Sequence, residues 1–155
     1  MVRIRGELTI AAPIDAVFAT VADSRNEPAF NPSMTSVELL TPEPVGHGTK
    51  FRAFMGRRNL EMLVEVTDFE PPHRIGSTVS STLMDTSGAI TFSSHREHTV
   101  MSWDWEVTPK GWLRLLGPGL GLVGKRAERR IWSAMRDMLE ADHQPADRNR
   151  STEDR

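Results

Sequence analysis

Few residues in this 155-residue chain have types and spacing that could do chemistry. Asp104 and Glu106 stand two apart in "MSWDWEV", the kind of carboxylate pair that general acid–base work can use. His95 and His98 flank "RE", but two histidines are too few for a zinc site and no third ligand is near in the sequence. "GLGLVG" at 119–124 has the letters of a dinucleotide-binding loop. No G-x-S-x-G and no Ser–His–acid motif occurs, and there is no tyrosine. The absence of cysteine excludes disulfides, thiolate metal sites and cysteine nucleophiles together, and fits a reducing cytoplasm.

Each of these candidates weakens once it is placed on an element. Met101, Trp103, Trp105 and Val107 alternate with Ser102, Asp104 and Glu106, so inward tryptophans turn both acids to water. The same alternation sends Glu61 and Glu65 outward from Met62 and Val64. A dinucleotide loop works between a parallel strand and a helix, whereas "WLRLLGP" precedes this one and no βαβ alternation exists. Its three glycines with Pro118 read instead as a loosened, apolar lead-in to the last helix, suited to gating a cavity. His47 and His73 fall in turns and His143 in a polar tail. Lys125, Arg126, Arg129 and Arg130, with Glu128 among them, read as the wet side of a helix. No titratable group is visible inside the apolar wall.

Bulk properties narrow the class further. A net charge of −2 and a pI near 6.2 give no general attraction to nucleic acid or anionic lipid. The longest apolar region, 111–124, is interrupted by Arg114 and Pro118 and is too short to span a bilayer, so no membrane insertion is expected. "MVRIRGELTI" alternates charged and apolar residues and does not read as a signal peptide. A cytoplasmic protein is the expectation.

The elements that must position any site follow from periodicity. Val2, Ile4, Leu8 and Ile10 alternate with Arg3, Arg5, Glu7 and Thr9, predicting a half-buried strand. Pro13 then opens a helix in which Ile14, Val17, Phe18 and Val21 recur at helical spacing. "SRNEPAFNPSM", with Pro28 and Pro32, holds at most one short helical turn. Six strands are predicted at 34–40, 49–55, 59–69, 74–84, 88–95 and 98–107. Their breaks fall at "TPEPVGHG", "GRR", "PPH", "DTSG" and "HREH". Leu120, Val123, Ala127, Ile131, Ala134 and Met138 then predict a long amphipathic helix to about residue 141. The order is that of an α+β domain over 1–141: an antiparallel meander, with the first strand added at one edge or closing it, covered by the last helix. The polar segment 142–155 has no periodic apolar face and predicts a disordered tail.

This order, with "IAAPIDAVFATVAD" (10–23), "FNPSM" (30–34), "VGHGTKFR" (45–52), "LEMLVEVTDFEPPHRI" (60–75) and "MSWDWEVTPKGWLRLLGPGL" (101–120), resembles the START/Bet v 1-like superfamily. Within it, the resemblance is to the polyketide cyclase/dehydratase-like bacterial proteins. It implies a helix-grip fold, a curved antiparallel sheet of about seven strands around a long C-terminal helix, with two short helices after the first strand. It also implies a cavity for a lipid, polyketide or other apolar molecule. Relatives often carry two tryptophans near 27–32, where this chain reads "EPAFNP" with Phe30 its lone aromatic.

The expected wall and mouth of such a cavity are Phe30, Met62, Met101, Trp103, Trp105, Trp112, Leu116 and Leu120, with Asn31 and Arg52 as polar anchors; core packing is the plainer role for the tryptophans and methionines, and a surface or turn-capping role for the anchors. No catalytic residue, metal ligand or cofactor is implied. Trp132, beside Ile131, is a candidate contact for a homodimer, with a place against the sheet as its simpler role. Binding of an apolar small molecule is the first function class. A polyketide cyclase or dehydratase, which needs a buried acid or base, is the second. An interaction module, which needs an exposed apolar patch, is the third.

Overall fold

The computed structural model describes residues 1–143. Strand β1 (Val2–Ile10) leads to helix α1 (Ile14–Ala22) and a 3-10 turn at Ser24–Ala29. Six strands follow: β2 (Met34–Leu39), β3 (Lys50–Met55), β4 (Leu60–Glu70), β5 (Arg74–Ser80), β6 (Met84–His95) and β7 (His98–Pro109). A second 3-10 turn at Gly111–Leu116 enters the long helix α2 (Pro118–Asp142). The sheet has the order β1-β7-β6-β5-β4-β3-β2 with every pair antiparallel, so β2 to β7 form a meander and β1 is added beside β7. This is the curved sheet and long C-terminal helix expected of a helix grip. The tail expected at 142–155 lies outside the described residues, apart from Asp142 and His143 at the end of α2.

One boundary differs from the sequence expectation. The strand predicted to run to residue 84 stops at Ser80, and "DTSG" lies inside β6 rather than in a turn. The side chain of Ser81 makes the turn instead. Its hydroxyl accepts the N–H groups of Leu83 and Met84 at 3.2 and 3.1 Å and donates to the Met84 carbonyl at 2.9 Å. Gly88 is in a strand because of what crosses it. It pairs with Trp105, and a Cβ there would fall 2.0 Å from the Asp104 carbonyl oxygen and 2.8 Å from Trp105 Cε3. Composition marks a turn residue, while sterics need a missing side chain.

Packing collects on the concave side. Ile10, Val17, Phe18, Phe51, Phe92, Met101, Trp103, Trp132, Met135 and Leu139 belong to one buried cluster, which joins the sheet to both helices. Phe18 of α1 meets Phe69 and Phe92 with ring centroids 5.5 Å apart in each case. Met34, Ala53 and Met62 form a smaller cluster near the β2 edge.

Helix α2 makes its principal sheet contact with β1, and small residues let it lie close. A Cβ on Gly121 would come within 3.1 Å of Val2 Cγ1, and one on Gly124 within 2.5 Å of Ile4 Cδ1. The inward stripe of the helix is therefore Gly121, Gly124, Glu128, Trp132, Met135 and Leu139. The stripe expected from apolar residues alone, Leu120 to Met138, is displaced from it by one position. Val123 is 66% exposed, whereas Trp132, Met135 and Leu139 are buried. Counting hydrophobic side chains overlooks a stripe that starts with two glycines and a glutamate.

Gly88→Ala is expected to destabilise the protein by about 2 kcal/mol or more, since backbone cannot yield as a flexible side chain can. Gly119→Ala, where an added Cβ meets nothing within 4 Å, leaves stability unchanged or slightly higher. Chemical denaturation of the two variants beside the parent checks the contrast.

Candidate functional site

The inner face of β7 presents Trp103 and Trp105, and each indole occupies space left by a glycine on a neighbouring strand. Gly6 of β1 faces Trp103, where a Cβ would come 2.2 Å from Cζ2, and Gly88 of β6 faces Trp105. Helix α2 sets Trp132 against this surface. Its ring lies 6.2 Å from that of Trp103 and 6.0 Å from that of Phe30, centroid to centroid. Trp132 is thus turned into the sheet and buried, and offers no face to a second copy.

Two carboxyl groups stand in this aromatic setting. Glu128 lies one helical turn before Trp132, whose indole Nε1–H donates to its Oε2 at 2.6 Å. Glu27, in the first 3-10 turn, accepts from Asn31 Nδ2 at 2.9 Å. Asn31 is itself 1% exposed, and its own carbonyl oxygen accepts from the Ser33 N–H at 3.2 Å, which fixes the amide. Both glutamates are half-buried as whole residues, yet desolvation is the leading influence on each carboxyl group. It raises Glu27 above the ordinary range despite the opposing Asn31 hydrogen bond. It pushes Glu128 up to about 7, helped by the charge of Glu27 and opposed by the indole of Trp132 and, less, that of Trp105.

The same region holds two unpaired donors. The indole N–H groups of Trp103 and Trp105 are buried and have no hydrogen-bond partner. Trp105 stands near enough to Glu128 to favour its ionised form, but without the geometry of a formed bond. Buried donors are ordinarily satisfied, so these two orphans, with Trp105 near the raised carboxyl of Glu128, make an incomplete polar network. Chemically the cluster can offer N–H groups to an acceptor oxygen and exchange a proton near neutral pH.

The expected site residues divide on this geometry. Phe30, Asn31, Trp103 and Trp105 come together, with Met101 fully buried in the same cluster. Met62 is buried but belongs to the smaller cluster. Leu120 is half-buried, and Leu116 and Trp112 are 47% and 62% exposed. Arg52 is not an anchor in the interior. It lies on the outer sheet face, paired with Glu61 at 3.0 Å and Glu38 at 3.6 Å, because its strand neighbours Phe51 and Ala53 take the buried positions. Glu27, Glu128 and Trp132 were missed. The signal that finds Glu128 is its spacing of four from both Gly124 and Trp132.

The outer face of the sheet carries an open groove of about 810 Å³, lined by Arg3, Arg5, Asp68, Arg74 and Asp104 among others. All three of its arginines are paired with its aspartates. Arg3 and Arg5 both bond Asp104, pulling its carboxyl down to about 2, and Arg74 bonds Asp68. Asp104 and Glu106 are thus strand-face residues, as their alternation predicts. Among the described residues no three His, Asp or Glu side chains gather as a metal site would need.

A raised carboxyl pKa makes folding pH-dependent with a definite sign. Between the unfolded value of 4.5 and about 7, the folded chain holds a proton on Glu128 that the unfolded chain has lost. Stability is therefore full below the lower value and falls as pH rises through the upper one. The loss is on the order of 2 kcal/mol after allowance for partial exposure. Glu128→Gln should flatten most of this slope, raising Tm by about 6 °C at pH 8 and leaving it unchanged at pH 4.5. Thermal melts of both proteins across that range provide the check.

Comparison with known proteins agrees with this architecture. The family described as "Polyketide cyclase / dehydrase and lipid transport" matches residues 1–141. Among solved structures, a conserved protein from Geobacillus kaustophilus superposes with a TM-score of 0.79 at 17% identity, covering 92% of this chain and 98% of its own. A START superfamily protein from Mycobacterium smegmatis gives 0.76 at 14% identity, covering 90% and 97%. The di-domain ARO/CYC StfQ from the steffimycin biosynthetic pathway gives 0.70 at 21% identity, with 90% of this chain matched to 45% of that one. No curated protein sequence matches the chain. With the family match spanning the sheet and nearly all of α2, the chain belongs to the polyketide cyclase/dehydrase and lipid transport family.

Proposed function

We propose that this protein binds an apolar, oxygen-bearing small molecule between the concave sheet and α2. The observation that carries the reading is the incomplete polar network: the free N–H groups of Trp103 and Trp105 in one aromatic cluster, with Trp105 near the raised carboxyl of Glu128. A ligand carbonyl or phenol oxygen would satisfy an indole N–H that nothing in the protein satisfies. The surrounding rings and methionines would take up its apolar body, burial yielding roughly 25 cal/mol per Å². Phe30, Trp103 and Trp132 touch across this space, so binding requires Trp132 or α2 to yield.

A second reading is favoured by one specific value, the shift of Glu128 to about 7. A group of that acidity is half ionised at neutral pH and can serve as base and then as acid. On a poly-β-ketone, the carboxylate would take a proton from a methylene between two carbonyls. The resulting enolate would attack a further carbonyl of the same chain, forming a carbon–carbon bond. The alkoxide so made would recover the proton from Glu128. An indole N–H would hold the carbonyl oxygen on which charge develops. This is cyclase chemistry, done by side chains alone.

The test is titration with a ligand set containing matched pairs, polycyclic aromatic ketones or phenols beside their hydrocarbon frameworks, read by native mass spectrometry. Oxygenated members should bind more tightly, and Trp103→Phe, which removes one N–H, should cost them about tenfold in affinity while sparing hydrocarbons. Equal affinity within pairs, or no binding at all, overturns the reading. Glu128→Gln separates the two functions. A cyclase loses ring formation on a synthetic polyketone while still binding it, whereas a carrier shows no turnover in either form.

A further inference from the structure

We infer that the lobe formed by residues 111–130 docks this protein on an anionic lipid bilayer. Trp112, Leu115, Leu116, Leu122 and Val123 are 62, 87, 47, 56 and 66% exposed. Scattered exposed apolar residues are ordinary, but here five bulky ones fall between positions 112 and 123. Leu113 alone of the 3-10 turn is buried, pinning the lobe to the fold while its neighbours project.

Charge behind the tip supplies the partner's identity. Between 111 and 131 stand Arg114, Lys125, Arg126, Arg129 and Arg130 against a single acid, Glu128. That acid is on the inward stripe of α2, beside Trp132, so it does not offset the outward basic groups. Among the described residues none of those five basic side chains forms an ion pair. The chain's net charge of −2 therefore conceals a segregated basic surface.

The arrangement along α2 has the dimensions of an interface. A rise of about 1.5 Å per residue puts Arg126 to Arg130 roughly 5 to 12 Å behind Leu122 and Val123. Apolar faces at membrane surfaces sit about 5–10 Å deep, which would leave these guanidinium groups at the level of lipid phosphates. An exposed tryptophan beside them suits the same layer. A protein partner would need a pocket complementary to Trp112 and Leu115, whereas fluid acyl chains accept projecting side chains without matched shape. Among the described residues no helix is long and apolar enough to cross a membrane, and the contact inferred is a superficial one. Docking of this kind involves the outer surface alone and requires no ligand in the interior.

The test uses the full chain with vesicles of phosphatidylcholine alone and of phosphatidylcholine mixed with phosphatidylglycerol, by flotation. Binding to the anionic vesicles, weakening with added salt and accompanied by a blue shift of Trp112 emission, is the expected result. Leu115→Glu should lower bound protein about tenfold without changing Tm, and Arg126→Glu with Arg130→Glu should abolish the anionic preference. Absence of binding to anionic vesicles at low salt overturns the inference, as does equal, salt-insensitive binding to both. So does concentration-dependent self-association that Leu115→Glu abolishes while vesicles remain unbound, which would make the lobe a protein interface.

Discussion

A seven-stranded antiparallel sheet has one face from which water must be kept, and the described residues offer one long α-helix and one short one to do it. Most of what is unusual about the interior follows. Helix α2 lies close to β1 through Gly121 and Gly124, so side chains must fill the remaining width. Tryptophan and phenylalanine reach farthest, and Trp103, Trp105, Trp132 and Phe30 bridge sheet and helix. The sheet makes room for two of them by omitting side chains at Gly6 and Gly88. Filling a gap with indoles also brings N–H groups into an apolar place, and their need for acceptors is where polarity enters the interior.

Glu128 shows how such an interior sets chemistry. On the outer face of α2 it would be an ordinary surface acid among arginines. One position along the helix decides otherwise, placing it beside Trp132 and within range of Glu27, where burial and like charge both oppose ionisation. Ionisation there costs the folded state free energy that a glutamine in the same place would not.

The strands were legible because alternation is a strong signal when one face is dry, and Met101 to Val107 or Leu60 to Val66 leave little choice. The β5–β6 boundary was not, because Gly88 lacks a side chain for steric reasons that involve Trp105, a residue distant in sequence. The phase of α2 was misread for a related reason: two glycines carry no hydrophobic mark and a glutamate carries the wrong one. The site was half visible for the same cause. Aromatic and buried amide residues could be named from type and register, but a buried carboxyl reveals itself only through its neighbours. Averaged charge likewise concealed the basic face of α2, since acids elsewhere in the chain cancel it in a sum but not in space.

The position of β1 has a consequence for how the molecule is assembled. Its partners run from Thr99 to Val107 in β7, and its other neighbours, Gly121 and Gly124, come later still. On the ribosome, therefore, β1 is made well before the strand it pairs with and is among the last of the seven to find its place. Val2, Ile4 and Leu8 must wait, without their β7 partners, until roughly a hundred further residues have been synthesised. Arg3, Arg5 and Glu7, interleaved with them, keep that waiting strand charged and discourage its capture by other nascent chains. The residues that line the outer face of the finished sheet are thus the same ones that keep β1 charged while it waits.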